Sequence, residues 1–206
     1  MTFSSENAKW LSNEIKSRLS KKRFNHTEGV VKMATYLGRM CIPDKVEELI
    51  CAAYLHDVTK EFPVDIHYNL ISLYDLQVSE EDLKTEAVLH SFSAFSLVKR
   101  DFSHFATPDI LSAVFNHTLG APDMSVFDEV IFLADFIEEG RSYEGSVNVR
   151  DFTLSKMKDG EILHNVKVLH EACVMAIDNT VFHLIEEKRA INTKNILTRN
   201  ALLGKI

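Results

Sequence analysis

The sequence predicts an all-α protein folded as an orthogonal helical bundle. Apolar residues recur at intervals of three and four along almost the whole chain, as on the inner face of a helix, and no clean alternating run appears. The 206 residues include only seven glycines and four prolines, which leaves few positions for hairpin turns. Both observations favour helices joined by short connections over a sheet.

The first half of the chain contains five predicted helices. Leu11, Ile15 and Leu19 share one face of the first, and Val30 begins an apolar stripe on the second. Pro43 suits a helix start, because proline fits the first helical turn. We expect these helices over about residues 6–19, from near residue 25, after Pro43-Asp44, over about 63–76, and over about 80–100 with a break near Thr85.

Four further elements are predicted in the second half. Thr107-Pro108 supplies an N-cap and N1 pair for a helix that ends near Gly120. Ser125 and Asp128 have the spacing of a capping box and begin a helix that runs to about residue 138. A long helix over about 160–187 and a short one after residue 193 follow. The polar stretch 141–151 is predicted to be a mobile loop.

Composition places the chain among ordinary globular proteins, with 46% hydrophobic and 26% charged residues. We expect one domain over residues 1–206, with a core over about 19–140 and C-terminal helices over about 151–206. The net charge of −7 argues against a nucleic-acid partner. The three cysteines form no CxxC pair, and Cys41 and Cys51 are expected to be packing residues.

The cellular setting is also an expectation from the sequence. The longest apolar run, residues 49–55, is too short to cross a bilayer, and the first residues lack the apolar core of a signal peptide. Together with the unpaired cysteines, this pattern predicts a cytoplasmic protein with no membrane partner. The oligomeric state is not fixed by the sequence, and a homodimer is one expectation.

Six histidine and aspartate side chains fall on inward faces of five predicted helices. His56 and Asp57, for example, continue the apolar face that contains Leu49 and Ala53. A single inward histidine is more often a packed core residue than a ligand, but six such groups favour a metal site. Imidazole and carboxylate together suit iron, manganese or zinc. The six are His26, His56, Asp57, His90, His117 and Asp135.

The order of His26, His56-Asp57 and Asp135 resembles the H…HD…D pattern of the HD-domain superfamily. A likeness to the YqeK-type symmetrical bis(5'-nucleosyl)-tetraphosphatases extends from about residue 19 to 203. The chain departs from that family at Val58-Thr59 and in the loop 142–151. The segments that carry the likeness are 23–26, 55–60, 117–120, 133–141 and 198–202.

The resemblance implies an HD-type fold with two divalent metal ions, iron first and manganese, cobalt or zinc as alternatives. His26, His56, Asp57 and Asp135 would bind one ion, and His90 and His117 would bind the second with Asp57 as the bridge. The implied reaction is symmetrical cleavage of a small-molecule nucleotide, diadenosine tetraphosphate, to two ADP by a hydroxide that bridges the metals.

Cations near these residues are the candidates for contacts with the substrate. Lys60 lies three residues after Asp57, Arg141 ends the segment that begins at Asp135, and Arg23 precedes His26 by one turn. We expect Arg23, Lys60, Thr118 and Arg141 to bind substrate, and Asp57, Lys60 and Arg141 to be catalytic.

Three alternatives remain open from the sequence. The first is an HD-type nucleotidase that acts on deoxynucleotides or nucleoside monophosphates, the second an HD-fold di-iron oxygenase, and the third a nucleotide sensor without turnover. The other histidines are expected to lie outside the site, with two of them, His164 and His170, at the surface. The remaining three are His67, His104 and His183.

Overall fold

The computed structural model describes residues 3–206, and within that range it contains eleven α-helices, three short 3₁₀ turns and no strand. The all-α prediction is therefore confirmed. The helices are α1 (Ser5–Arg18), α2 (Lys21–Cys41), α3 (Val46–Leu55), α4 (Val64–Ile71), α5 (Glu80–Leu83), α6 (Leu89–Asp101), α7 (Pro108–Asn116), α8 (Val126–Ile137), α9 (Glu144–Lys156), α10 (Ile162–Glu186) and α11 (Thr193–Leu203).

The predicted helix starts in the middle of the chain are confirmed by their capping contacts. The Thr107 side chain accepts a hydrogen bond from the backbone N–H of Ile110 (3.2 Å). Ser125 accepts one from the N–H of Asp128, and the Asp128 carboxylate accepts one in return from the N–H of Ser125 (2.8 Å). The break near Thr85 is also present, because α5 ends at Leu83 and a 3₁₀ turn precedes α6.

The predicted mobile loop over 141–151 is wrong, since helix α9 occupies most of it. This helix has a weak apolar stripe, but Val149 and Thr153 are fully buried. The Arg150 guanidinium donates to the carbonyls of Ile137 (3.1 Å) and Glu138 (2.7 Å) at the end of α8. Packing against α8 and α10 therefore holds α9 in place, and this support is invisible in the local sequence.

Helix α7 ends at Asn116 rather than near Gly120. Two other helix boundaries also differ from the predictions. Helix α2 begins at Lys21, one turn earlier than expected, because Ser20 caps it by accepting from the N–H of Arg23 (3.2 Å). Helix α4 ends at Ile71 rather than near residue 76. Neither difference changes which faces point inward.

A continuous hydrophobic core joins Leu11 in α1 to Leu202 in α11. Helix α2 packs against α3, α8 and α10, so it runs through the middle of the bundle. Helix α10 is long and apolar enough to span a membrane by length and composition alone. Its inner face is buried against α2, α8, α9 and α11, as expected for the core helix of a globular protein.

The three cysteines are free and buried in this core, as predicted for Cys41 and Cys51. Burial raises the pKa of both the Cys41 and the Cys51 thiol to about 12. Burial likewise raises the pKa of Cys173. The thiols therefore stay protonated near neutral pH, as packing residues do.

Helix α11 is attached to the rest of the protein through a buried carboxylate. Asp82 is completely buried in α5 and accepts hydrogen bonds from the N–H of Ser79 (3.0 Å), from Asn192 (2.9 Å) and from the Lys194 ammonium (2.6 Å). Burial by itself raises the pKa of Asp82, but the hydrogen bonds from Lys194 and Ser79 outweigh it and lower the pKa below its ordinary value.

Replacing Asp82 by asparagine should lower the free energy of unfolding at neutral pH by about 1.5–3 kcal/mol, the usual value of a hydrogen bond to a charged group. Because the pKa of Asp82 is lower in the folded protein, this stabilisation is present above the unfolded pKa of about 3.9. It is lost as the pH falls through the folded value. Urea titrations between pH 6 and pH 3 measure the difference between wild type and Asp82→Asn, which should shrink at acid pH. Glu80→Gln, at an exposed position of the same helix, is the control. If the difference in the free energy of unfolding between wild type and Asp82→Asn stayed constant with pH, the ionised Asp82 carboxylate would not be the source of the stabilisation.

Candidate metal centre

Two of the predicted site histidines stand directly after the last residue of a helix. His56 follows α3 and His117 follows α7. Helix ends leave carbonyls without intrahelical partners, and each ring uses one of them. His56 Nδ1 donates to the Ala53 carbonyl (2.6 Å), and His117 Nδ1 donates to the Val114 carbonyl (2.8 Å). Because a carbonyl only accepts, the proton sits on Nδ1 and each Nε2 presents a lone pair to the interior.

Asp57 lies between two pairs of imidazoles and is 2% exposed. Its Oδ2 is 3.4 Å from His56 Nε2 and 3.6 Å from His26 Nε2. Its Oδ1 is 3.3 Å from His90 Nε2 and 3.7 Å from His117 Nε2. Each carboxylate oxygen therefore faces one pair of rings, as expected for a residue shared by two neighbouring sites.

The structure brings all six predicted ligand residues together in two compact groups. One contains His26, His56 and Asp135, from α2, the end of α3 and α8. The other contains Asp57, His90 and His117, from the segment after α3, from α6 and from the end of α7. Within each group the candidate ligand atoms lie within 4.8 Å of one another. No other group of this kind occurs in the part of the chain that the structure describes.

Several polar atoms at the centre of these groups make no hydrogen bond within the protein. His56 Nε2 and Asp57 Oδ1 are buried without a hydrogen bond. His26 Nε2 lies 3.0 Å from Asp135 Oδ1 at an angle that makes no hydrogen bond. Buried polar atoms of this type are costly unless something meets them. Divalent cations would do so, and the imidazole and carboxylate set fits metals of the iron, manganese and zinc class.

The protonation states also suit metal binding. Burial raises the pKa of Asp57, but the neighbouring His56 and His117 hold it well below its ordinary value. Burial raises the pKa of Asp135 as well, but the neighbouring His26 and Arg141 hold it well below its ordinary value. Burial also depresses the pKa of His90. Near neutral pH the carboxylates are thus ionised and His90 is neutral, the forms that bind a cation.

The predicted substrate-binding residues lie at the edge of the two groups. Arg23 contacts Asp57 Oδ2 (2.9 Å), and Arg141 contacts Asp135 Oδ1 (2.6 Å). Arg23 and Arg141 both line an open pocket of about 1120 Å³. The Lys60 ammonium lies 3.1 Å from His90 Nε2, directed inward rather than into this pocket.

A second pocket, of about 370 Å³, adjoins the centre on another side. Thr118 and Arg141 line it together with His117 and Asp135. The Thr118 hydroxyl also lies 3.2 Å from His90 Nε2. All four predicted substrate-binding residues are therefore within reach of the centre, and whether they bind substrate stays a prediction.

Glu138, which the sequence did not indicate as a site residue, holds the His26 ring. It is 3% exposed, and its Oε1 accepts from His26 Nδ1 (3.1 Å) while its Oε2 accepts from the N–H of Gly140 (2.6 Å). A Cβ atom on Gly29 would lie 2.3 Å from the Glu138 Oε2, so a larger residue at position 29 would displace the carboxylate. Its position three residues after Asp135, in the segment that carried the family resemblance, is a signal that could have identified it.

The other histidines differ in part from expectation. His170, expected at the surface, is buried and contacts Glu129 (2.6 Å), because α10 packs against α8. His164 is partly exposed and contacts the Lys156 carbonyl. His67 is also buried and contacts Ser93 (2.7 Å). None of the three belongs to either ligand group, but His183 lines the smaller pocket.

Comparison with known proteins agrees with this geometry. The model of the HD-domain family matches residues 23–140, a range that contains all six candidate ligands. The chain belongs to the HD-domain family. Family membership and the ligand groups together identify a metal-dependent phosphohydrolase.

Relatives of this HD-domain chain share nearly its whole length. It is 28% identical to the symmetrical bis(5'-nucleosyl)-tetraphosphatase of Halalkalibacterium halodurans, over 92% of this chain and 93% of the relative. It is 29% identical to the Bacillus subtilis protein of the same name, over 92% and 94%. An HD superfamily hydrolase from Clostridium acetobutylicum has a similar crystal structure, with a TM-score of 0.82, 24% identity and full coverage of both chains. This likeness confirms the predicted fold class.

Removal of the Glu138 carboxylate should weaken metal binding without unfolding the protein. Residues that orient a ligand histidine typically contribute 10- to 100-fold to metal affinity. We expect a loss of that order in Glu138→Ala, and a smaller loss in Glu138→Gln, which keeps an acceptor for His26. Calorimetric titration with Mn²⁺ measures the effect, with circular dichroism to verify folding. Glu139→Ala, at the exposed neighbouring position, is the control. Equal affinity in Glu138→Ala and wild type would show that Glu138 does not position the ligand.

Proposed function

We propose that this protein is a symmetrical bis(5'-nucleosyl)-tetraphosphatase that cleaves diadenosine tetraphosphate to two ADP. The observation that carries the proposal is the similarity, over about nine tenths of the chain, to relatives that have this name. The six candidate ligands and the predicted cations lie together at one place in the bundle, which gives the activity a site.

Under this proposal, His26, His56, Asp57 and Asp135 bind one metal ion, and His90 and His117 bind a second with Asp57 as the bridge. Support comes from the two oxygens of Asp57, each of which faces a different pair of rings. Two metals bound here would polarise phosphate oxygens and lower the pKa of water, with iron first among the candidates.

The substrate is a polyanion and the protein has a net charge of −7, so cationic side chains near the centre must bind the phosphates. Arg141 lines both pockets beside the centre, so it is placed to contact the phosphates that flank the bond to be broken. Arg23 contacts Asp57, and Lys60 contacts His90. Thr118 can donate its hydroxyl to a phosphate oxygen. Charge-assisted contacts of this kind fix the substrate in an orientation that suits attack.

Two pockets on different sides of the centre suit a substrate with two nucleotide halves. An in-line displacement needs the attacking and leaving oxygens on opposite sides of one phosphorus. We infer that the central bridge of the tetraphosphate lies over the ligand groups and that one half extends into each pocket. Binding the α-phosphate there instead would give AMP and ATP.

The proposal includes the setting of the enzyme. We propose that residues 1–206 form one domain that acts in the cytoplasm. The continuous core between Leu11 and Leu202 and the three free buried cysteines support this. A homodimer stays a prediction from the sequence.

Metal content tests the bridging role. Asp57→Ala should lose most of both ions because each group loses a shared ligand, whereas His117→Ala should lose about one ion of two. Elemental analysis of anaerobically purified protein measures the stoichiometry, and His164→Ala, outside both groups, is the control. Full metal content in Asp57→Ala would rule out the bridge.

Product analysis tests the reaction. Diadenosine tetraphosphate should give ADP as the sole nucleotide product, because attack falls on a central phosphorus. In ¹⁸O-labelled water, half of the ADP should contain label in its terminal phosphate, as mass spectrometry would show. A mixture of AMP and ATP would refute symmetrical cleavage. Release of phosphate from mononucleotides, with no turnover of any dinucleoside polyphosphate, would favour the HD-type nucleotidase.

A further inference from the structure

The smaller pocket beside the metal centre has charged and aromatic groups at different places on its lining. His117, Asp135 and Arg141 connect it to the ligand groups, while Tyr143 and His183 come from outside them. Its volume of about 370 Å³ lies within the range of small-molecule sites, about 300–1,000 Å³.

Tyr143 and His183 form an exposed pair of rings. Their centroids are 5.6 Å apart and their planes are inclined by 54°. Tyr143 is 43% exposed, immediately before the first residue of α9, and His183 lies on the exposed last turns of α10. Aromatic faces that remain open to solvent beside a pocket are available for stacking with a flat ligand.

The Tyr143 ring lies close to the backbone of Gly145 at the start of α9. A Cβ atom on Gly145 would lie 2.5 Å from Tyr143 Cε1 and 2.5 Å from Asn179 Oδ1. A larger residue at position 145 would therefore displace the Tyr143 ring or the Asn179 side chain. Glycine leaves room for the ring at the position from which it lines the pocket.

The remaining walls of the pocket suit a nucleoside. Phe132 and Phe136 contribute apolar surface, and Ser146 and Thr180 contribute hydroxyls. The Thr180 hydroxyl donates to the Ala176 carbonyl (2.9 Å), so its oxygen is left to accept a hydrogen bond. A pocket with apolar walls and a few placed polar groups is typical of a small-molecule site.

The larger open pocket has a different character. Its lining contains five cations and four carboxylates, and in the described residues no phenylalanine, tyrosine or tryptophan. The cations are Lys21, Lys22, Arg23, Lys32 and Arg141, and the carboxylates are Glu28, Glu61, Glu138 and Glu139. It offers charge for phosphates and no ring of that kind on which a base could stack. The two sides of the metal centre are therefore chemically unlike.

We propose that the smaller pocket is a nucleobase subsite in which one base of the substrate stacks against Tyr143 and His183. The phosphates attached to that nucleoside extend past Arg141 to the ligand groups. The other half of the substrate is held on the lysine-lined side through its phosphates. This assignment rests on the proposed function, which it deepens: a substrate with two equal ends is recognised by two unequal pockets.

Binding of ADP and of pyrophosphate to the metal-loaded protein separates base recognition from phosphate recognition. In Tyr143→Ala the affinity for ADP should fall about 5- to 150-fold, the usual effect of removing one stacking partner. Affinity for pyrophosphate should be unchanged, because it has no base. Tyr143→Phe keeps the ring and should bind ADP like wild type. Phe182→Ala removes an exposed aromatic residue next to His183 that does not line the pocket, and it is the matched control.

Isothermal titration calorimetry gives both affinities without any turnover. Unchanged ADP affinity in Tyr143→Ala, or an equal loss for ADP and pyrophosphate, would overturn the subsite. Selective loss of ADP binding would support it even if wild-type protein failed to cleave diadenosine tetraphosphate, a result that would refute the proposed function alone. If wild-type protein cleaved diadenosine tetraphosphate normally and Tyr143→Ala bound ADP like wild type, the subsite would be refuted and the proposed function would stand.

Discussion

The buried carboxylate of Asp57 is the constraint around which the bundle is arranged. An ionised carboxylate removed from water costs several kcal/mol unless its oxygens are met by charge or by hydrogen-bond donors. Here the Arg23 guanidinium donates to it at 2.9 Å. Four imidazole nitrogens lie within 3.3–3.7 Å of it, close enough to bind the same cations as its two oxygens. Helices α2, α3, α6 and α7 must therefore pack so that one histidine from each, in the helix or directly after it, points toward Asp57.

A second layer of contacts keeps those rings aimed at the centre. The carbonyls of Ala53 and Val114 fix two rings through Nδ1, and Glu138 fixes a third. The Thr59 hydroxyl donates to the His90 carbonyl (2.9 Å) and so ties the segment after α3 to α6. Buried Glu129 connects α8 to His170 and to Lys205 (2.8 Å), near the end of the chain. The ligand positions thus depend on contacts with helices that contain no ligand.

The local sequence predicts the side-chain orientations that follow from the helical period. It does not predict structure that depends on contacts with residues distant in the sequence. The inward positions of His26, His90 and Asp135 follow from apolar neighbours three and four residues away, so all could be predicted. Helix α9 could not, because Arg150 and Val149 stabilise it through contacts with other helices. The apolar residues Val166, Cys173 and Val174, three and four positions from His170, indicate an inward face, so its burial could have been predicted. Its partner Glu129, 41 residues away, could not.

The contact between Gly29 and Glu138 has a consequence for engineering thermal stability. A glycine inside a helix is less favourable than alanine by about 1 kcal/mol, so replacing interior glycines is a common way to strengthen a protein. In α2 the same replacement would push the Glu138 carboxylate away from His26. Gly29 is therefore maintained by the needs of the site, and replacing it for heat resistance alone would reduce turnover.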